Sequence, residues 1–296
     1  MKLKKMQSSM EIKEGDKHAW LRVLLLIIPY FIIVGLFQLI GGFISGANLM
    51  NEEFNSNSIQ DLSIAFFGLL GTFFVIWIFM KNIDHEPFIN LGFQTKNRLK
   101  DFVLGIIIGL IIMVIGYTIL VYSGEIRFVN LNFDIEELII SILLFIIVSV
   151  TEEMFLRGYV LRNFMLSFNK YVALFLSSVL FAAMHGFNPN IDFFALLNLF
   201  LAGILLGMSY IYTKNLWFPI GLHFSWNLFQ TLLGFNVSGL DSYSIVEFKI
   251  TAPNLINGGM FGFEGSYLSI VAQLITITCI VFYYNKKQQN RATPLI

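Results

Sequence analysis

The chain has 296 residues, of which 56% are hydrophobic and 13% charged, and its 19 basic and 19 acidic side chains cancel. Soluble domains carry about 25% charged residues, so a largely soluble protein is excluded, and a net charge of zero argues against nucleic acid as a partner. The single cysteine, Cys279, excludes an intrachain disulfide and a cysteine-based metal site.

Apolar stretches long enough to cross a bilayer, roughly 20 residues each, predict spans at 20–44, 60–80, 101–122, 138–166, 171–187, 192–213, 216–233 and 266–284. The fold class is therefore an all-α polytopic membrane protein of about eight transmembrane helices. A single membrane domain covers 20–284, between tails 1–19 and 285–296. The first apolar stretch follows Lys2, Lys4 and Lys5. It is too long for a signal peptide and lacks a convincing cleavage site, so it reads as an uncleaved span. An even number of spans leaves both termini on one side. Of the 19 basic residues, all but Arg127 and Lys249 fall on the side predicted to be cytoplasmic. The opposite loops are acidic, with Glu52, Glu53, Asp61, Glu136 and Glu137. The expectation is an integral, multi-pass protein of the cell membrane with both ends in the cytoplasm.

The first three spans carry few polar side chains and read as scaffold. Gly105 and Gly109 are four apart, which allows a neighbouring helix to approach closely. In the inner loop, His85-Glu86-Pro87-Phe88-Ile89 begins like an HExxH zinc helix. It fails at Ile89, and Pro87 would interrupt the helix, so His85 is expected to be solvated. The fourth span ends in Thr151-Glu152-Glu153-Met154-Phe155-Leu156-Arg157. Ionisable groups inside lipid are costly and point to function. Glu153 and Arg157 are four apart and can pair along a helix. Glu152 lies about 100° further round the helix and stays free of that pair.

Two histidines, His185 and His223, also fall in apolar spans, and Asn227 shares a helix face with His223. Glu152 lies 16 residues before Phe168 and His185 lies 17 after it. Two helices leaving one turn near Phe168-Asn169 would therefore bring them level. His223 starts about 10 Å lower on the same arithmetic. That offset closes if the hairpin projects into the cytoplasm with Arg162, Asn163, Asn169 and Lys170 at its tip. The outer loop 234–265, with Pro253 and Gly258-Gly259, yields no assignment.

The order Glu152-Glu153-x-x-x-Arg157, Phe181-x-x-x-His185, His223-x-x-x-Asn227 resembles the three motifs of the CPBP family, the ABI or CAAX-protease-like intramembrane endopeptidases, which include type II CAAX prenyl endopeptidases. The motifs cover 152–227, and each alone is a weak signal.

The residues themselves support hydrolysis. Peptide cleavage needs an activated water and a stabilised oxyanion. Glu152 is the general base, with His185 level to hold the water. Glu153 and Arg157 orient the site, and His223 with Asn227 can donate to an oxyanion. The resemblance implies the same division of roles. Cofactor use stays open between zinc and none: Glu152, His185 and His223 would form a His₂Glu zinc set, while the same residues also serve a metal-free site. The expected partners are the lipid bilayer and a protein or peptide substrate at the membrane, with CAAX processing or peptide maturation as the reaction. The alternatives are a catalytically silent scaffold or bacteriocin-immunity factor of the same fold, and a proton-coupled transporter.

Overall fold

The computed structural model describes residues 16–47 and 56–292. Lys2, Lys4, Lys5, Lys13, Glu52 and Glu53, which enter the charge argument above, lie outside the described residues.

Each of the eight apolar stretches is helical. The helices are α1 (Ala19–Ile44), α2 (Ser58–Phe79), α3 (Leu99–Tyr122), α4 (Ile135–Glu153), α5 (Arg162–Ser167), α6 (Lys170–Met184), α7 (Phe193–Thr213), α8 (Trp217–Leu232) and α9 (Tyr267–Ala292). A π-helical segment, Met154–Leu161, joins α4 to α5 into one rod of 33 residues. Short polar side chains start many of these helices by accepting free backbone N–H groups. Asn57 forms a reciprocal capping box with Gln60, and Asp134, Asn169 and Asp192 cap α4, α6 and α7. Six of the helical stretches are long and apolar enough to cross a membrane, and their outward faces present residues such as Leu25, Ile28, Ile115 and Val271. The protein is an all-α, multi-pass integral membrane protein.

The other two helices are short. α6 has 15 residues and α8 has 16, or about 22–24 Å at 1.5 Å per residue, against a hydrocarbon core of about 30 Å. α8 is enclosed on almost every side, with α3, α4 and α7 packed around it. The glycine pair on α3 makes this possible. A Cβ on Gly105 would stand 2.6 Å from both the Leu222 nitrogen and the Phe218 oxygen, and one on Gly109 would meet Ser225 Oγ at 2.0 Å.

Two features depart from expectation. The first is a small antiparallel sheet, β1 (Ile126–Leu131) with β2 (Val246–Ile250), drawn in part from the unassigned outer loop. Arg127 and Lys249, the two basic residues on the outer side of the charge count, are cross-strand partners, both exposed. The second is the hairpin between α5 and α6, whose base does not project free. Arg162 is 2% exposed and Asn163 is 0% exposed. Arg162 Nη2 pairs with Glu86 at 3.1 Å beside the fully buried Asp84 carboxylate, which also binds Arg22 at 3.1 Å and accepts from Tyr159 Oη at 3.0 Å. Ser167 Oγ donates to the Asp16 carbonyl. The loop after α2 and the start of α1 thus cover the hairpin, while His85 is exposed as expected, at a φ of 54°.

The α3–α8 approach leads to a stability test. Gly105→Val should lower the melting temperature of the detergent-solubilised protein, because overpacking of this kind costs about 1–3 kcal/mol. Gly35→Ala on α1, where nothing lies within 4 Å, should melt at or slightly above wild type. Equal melting of both variants would show that the close approach does not limit stability.

Candidate active site

The α-to-π transition falls at the end of the first motif. Glu153 closes α4, and Arg157 lies in the π segment, all eight residues of which are buried. π-Helical turns are rare and occur mostly at functional sites. Here the segment is wedged under the loop after α2. A Cβ on Gly158 would touch Leu91 and Leu216 at 3.3 Å, Tyr159 Oη reaches Asp84, and Phe155 stacks on Tyr30 of α1 with centroids 3.8 Å apart.

Glu153 is the hub. Its carboxylate is 0% exposed, and Oε1 accepts from Arg157 Nη1 and from His223 Nδ1, each at 2.8 Å. Arg157, 1% exposed, also donates from Nη2 to the Gly203 carbonyl at 3.3 Å and lies 4.6 Å over the Phe181 ring. The expected Glu153–Arg157 pair is thus formed, and His223 joins it. Because Glu153 accepts at Oε1, Nδ1 of His223 carries the hydrogen and Nε2 is left for chemistry.

Glu152 stands apart from this group. Its side chain is one-quarter exposed, and its Oε2 lies 4.0 Å from His223 Nε2 with no hydrogen-bond partner. That separation is too long for a direct bond and suits one bridging water. The imidazole therefore lies between two adjacent glutamates, one toward each ring nitrogen. Glu152 also lines a cleft of about 260 Å³ between α1, α2 and α4, together with Tyr30, Gly35, Gln38, Gly68 and Met184. α1 and α2 are therefore more than scaffold.

His223 and Asn227 line a second, smaller cavity with Phe181, Trp226 and Glu264. Its volume of about 20 Å³ is room for a water or a group of that size. Asn227 is 5% exposed, and its side chain makes no hydrogen bond to protein among the described residues. Glu264 belongs to the outer loop, and nothing in its sequence surroundings marked it. A loop carries no periodicity, and its neighbours Phe263 and Gly265 suggest no helix face.

His185 departs from the expected arrangement. The level is right, since Met184 and Glu152 line one cleft. Its ring, however, turns back on its own helix, with Nδ1 2.8 Å from the Phe181 carbonyl, and no ion pair or hydrogen bond joins it to Glu152 or His223. Among the described residues no three His, Cys, Asp or Glu side chains are placed to hold a metal ion. As the rings stand, His185 is not gathered with Glu152 and His223 into a His₂Glu zinc set, while its Nδ1 contact with the Phe181 carbonyl leaves Nε2 free.

Residues 134–229 match the family model of type II CAAX prenyl endopeptidase, Rce1-like proteins. The interval runs from the cap of α4 to α8 and contains all three motifs. The match covers about a third of the chain and agrees with the resemblance that the motifs carry. A comparison with curated proteins finds no match.

The two roles of charge at this site separate by mutation. Arg157→Ala leaves Glu153 buried with His223 alone, and breaking a buried pair from one side costs about 3–5 kcal/mol in soluble proteins. The variant should melt well below wild type and lose activity. His185→Ala removes no buried counter-charge and should melt close to wild type. Melting of both variants in detergent checks this, and a wild-type melting curve for Arg157→Ala would move the arginine from structure to chemistry.

Proposed function

We propose that this Rce1-like membrane protein is an intramembrane endopeptidase that hydrolyses peptide bonds of membrane-associated proteins or peptides, with Glu152 as its general base. The single observation that carries the reading is the Glu152 carboxylate. It is excluded from the Glu153–Arg157 pair, unpartnered at Oε2, and poised between a cleft and His223 Nε2 at 4.0 Å.

The steps follow from the protein's own groups. An extended peptide reaches the site through the cleft between α1, α2 and α4. A water held between Glu152 and His223 Nε2 gives its proton to Glu152 as its oxygen attacks the carbonyl carbon. Glu152 passes this proton on to Nε2, and the imidazolium that results is stabilised by Glu153 on the other side of the ring until the proton returns to Glu152. Nε2–H and the Asn227 amide then donate to the oxyanion, where donors aimed at developing charge do most of their work. Collapse of the tetrahedral intermediate breaks the C–N bond, and the leaving amine takes the proton back from Glu152. His185 contributes from the end of α6, where its Nδ1 rests on the Phe181 carbonyl and its Nε2 is left to steady the water. Glu153 and Arg157 fix the imidazole and touch no reacting atom. In this reading both termini face the cytoplasm of a cell-membrane protein, as the distribution of basic residues supports.

Replacing Glu152 by Gln keeps size and hydrogen bonding and removes the base. Turnover of a membrane peptide should fall by about 10²–10⁴-fold, the usual weight of general base catalysis, with melting unchanged. Comparative peptidomics of membranes bearing wild type or Glu152→Gln identifies the substrates. Near-normal turnover by Glu152→Gln would sink the proposal.

A further inference from the structure

The outer loop brings a third carboxylate to the catalytic cavity. Glu264 lies in a short 3₁₀ turn, Phe263–Gly265, is 7% exposed, and lines the cavity beside Trp226 and Asn227. Its position is fixed. Oε2 accepts from the Ser238 backbone N–H at 2.9 Å and from Ser238 Oγ at 2.7 Å, and the Ser238 carbonyl accepts from Asn188 Nδ2 at 3.0 Å. Gly262 holds the turn at a φ of +96°, where a Cβ would lie 1.9 Å from the Asn236 carbonyl oxygen. Among the described residues no lysine, arginine or histidine forms an ion pair with Glu264, whose carboxylate is met only by neutral donors.

A buried carboxylate without a cation is costly and calls for positive charge. Beside the group that would hold an oxyanion it is also out of place, since it would oppose the developing charge unless a cation stood between. The remaining lining suits a cation as well: an indole, which attracts ammonium groups over its face, and an amide, with Leu222 and Phe181 as the apolar walls. The cavity of about 20 Å³ has the size of one ammonium head. We propose that Glu264 forms an ammonium subsite, which selects substrates with a lysine side chain next to the scissile bond. The proposal rests on the endopeptidase reading of the same site.

The test uses the full chain in detergent or nanodiscs, with the Glu152→Gln background to stop turnover, and labelled apolar peptides in which one lysine is moved through successive positions. At one position lysine should bind about tenfold more tightly than norleucine or acetyl-lysine, as a buried charge-assisted contact implies. Adding Glu264→Gln should reduce that preference to less than about twofold and leave the norleucine peptide unchanged. No preference at any position, or a preference that survives Glu264→Gln, overturns the subsite. If Glu264→Gln fails to fold, the comparison of lysine with acetyl-lysine in the parent background still decides. Cleavage by the otherwise wild-type chain is scored separately. Preference without cleavage sinks the endopeptidase reading and keeps the subsite, whereas cleavage without preference sinks only the subsite.

Discussion

The structure depends on one carboxylate oxygen, Oε1 of Glu153, which accepts from Arg157 and His223 at once. Three elements meet there: α4, the π segment and α8. An ionised group so deeply buried is stable only if its charge is matched and its lone pairs are used. Neither partner alone would suffice. Arg157 supplies the charge, and it is held in turn by the Gly203 carbonyl, which accepts from Nη2, and by the Phe181 ring, on α7 and α6. The pair thereby ties the motif-bearing helices to one another. Glu152, the neighbouring residue, is spared from this network, which is what leaves it available for chemistry.

The π segment begins directly below two adjacent glutamates that face different surroundings. It begins at the residue after Glu153 and is fully buried. The surrounding packing holds it. Leu91 and Leu216 close on Gly158, and Tyr159 is anchored to Asp84. Asp84 in turn gathers Arg22 and Arg162, so charges from α1, α5 and the segment after α2 converge at one end of the bundle. The end of α4 that carries Glu152 and Glu153 is therefore braced from below by an ionic network and from the side by the stack of Tyr30 on Phe155.

Much of this was legible in the sequence. Long apolar runs have an unmistakable signal, and each of the eight became a helix with ends within a few residues of those expected, except that the last runs on to Ala292 through the expected tail. The i,i+4 spacing gave the Glu153–Arg157 pair, and the equal counts from Phe168 gave the level of Glu152 with the end of α6. Other features had no local signature. The π segment reads as ordinary helix, because hydropathy does not distinguish one more residue per turn. The second partner of Glu153 is 70 residues away, and spacing along one helix cannot show it. Arg162 was expected at a wet tip because its sequence neighbours are polar, yet Asp84 and Glu86, from a distant loop, bury it. Glu264 was invisible for the same reason: the cavity that it lines is formed by residues of α6, α7 and α8, distant in sequence. His185 was placed at the right height, while its ring orientation is set by the Phe181 carbonyl, one turn back in its own helix.

The shortness of α6 has a consequence for the lipid around it. This helix presents Tyr171, Val172, Phe175 and Val179 outward, yet its 15 residues cover only about three-quarters of a typical hydrocarbon thickness. Such a mismatch is relieved by thinning of the adjacent bilayer, at a fraction of a kcal/mol per Å. The dimple forms on the flank of the molecule that ends at His185. Water and headgroups there stand closer to the buried glutamates than the midplane of a flat bilayer would allow. The thickness and stiffness of the host membrane, set by its acyl chains, thus become part of the hydration of the site.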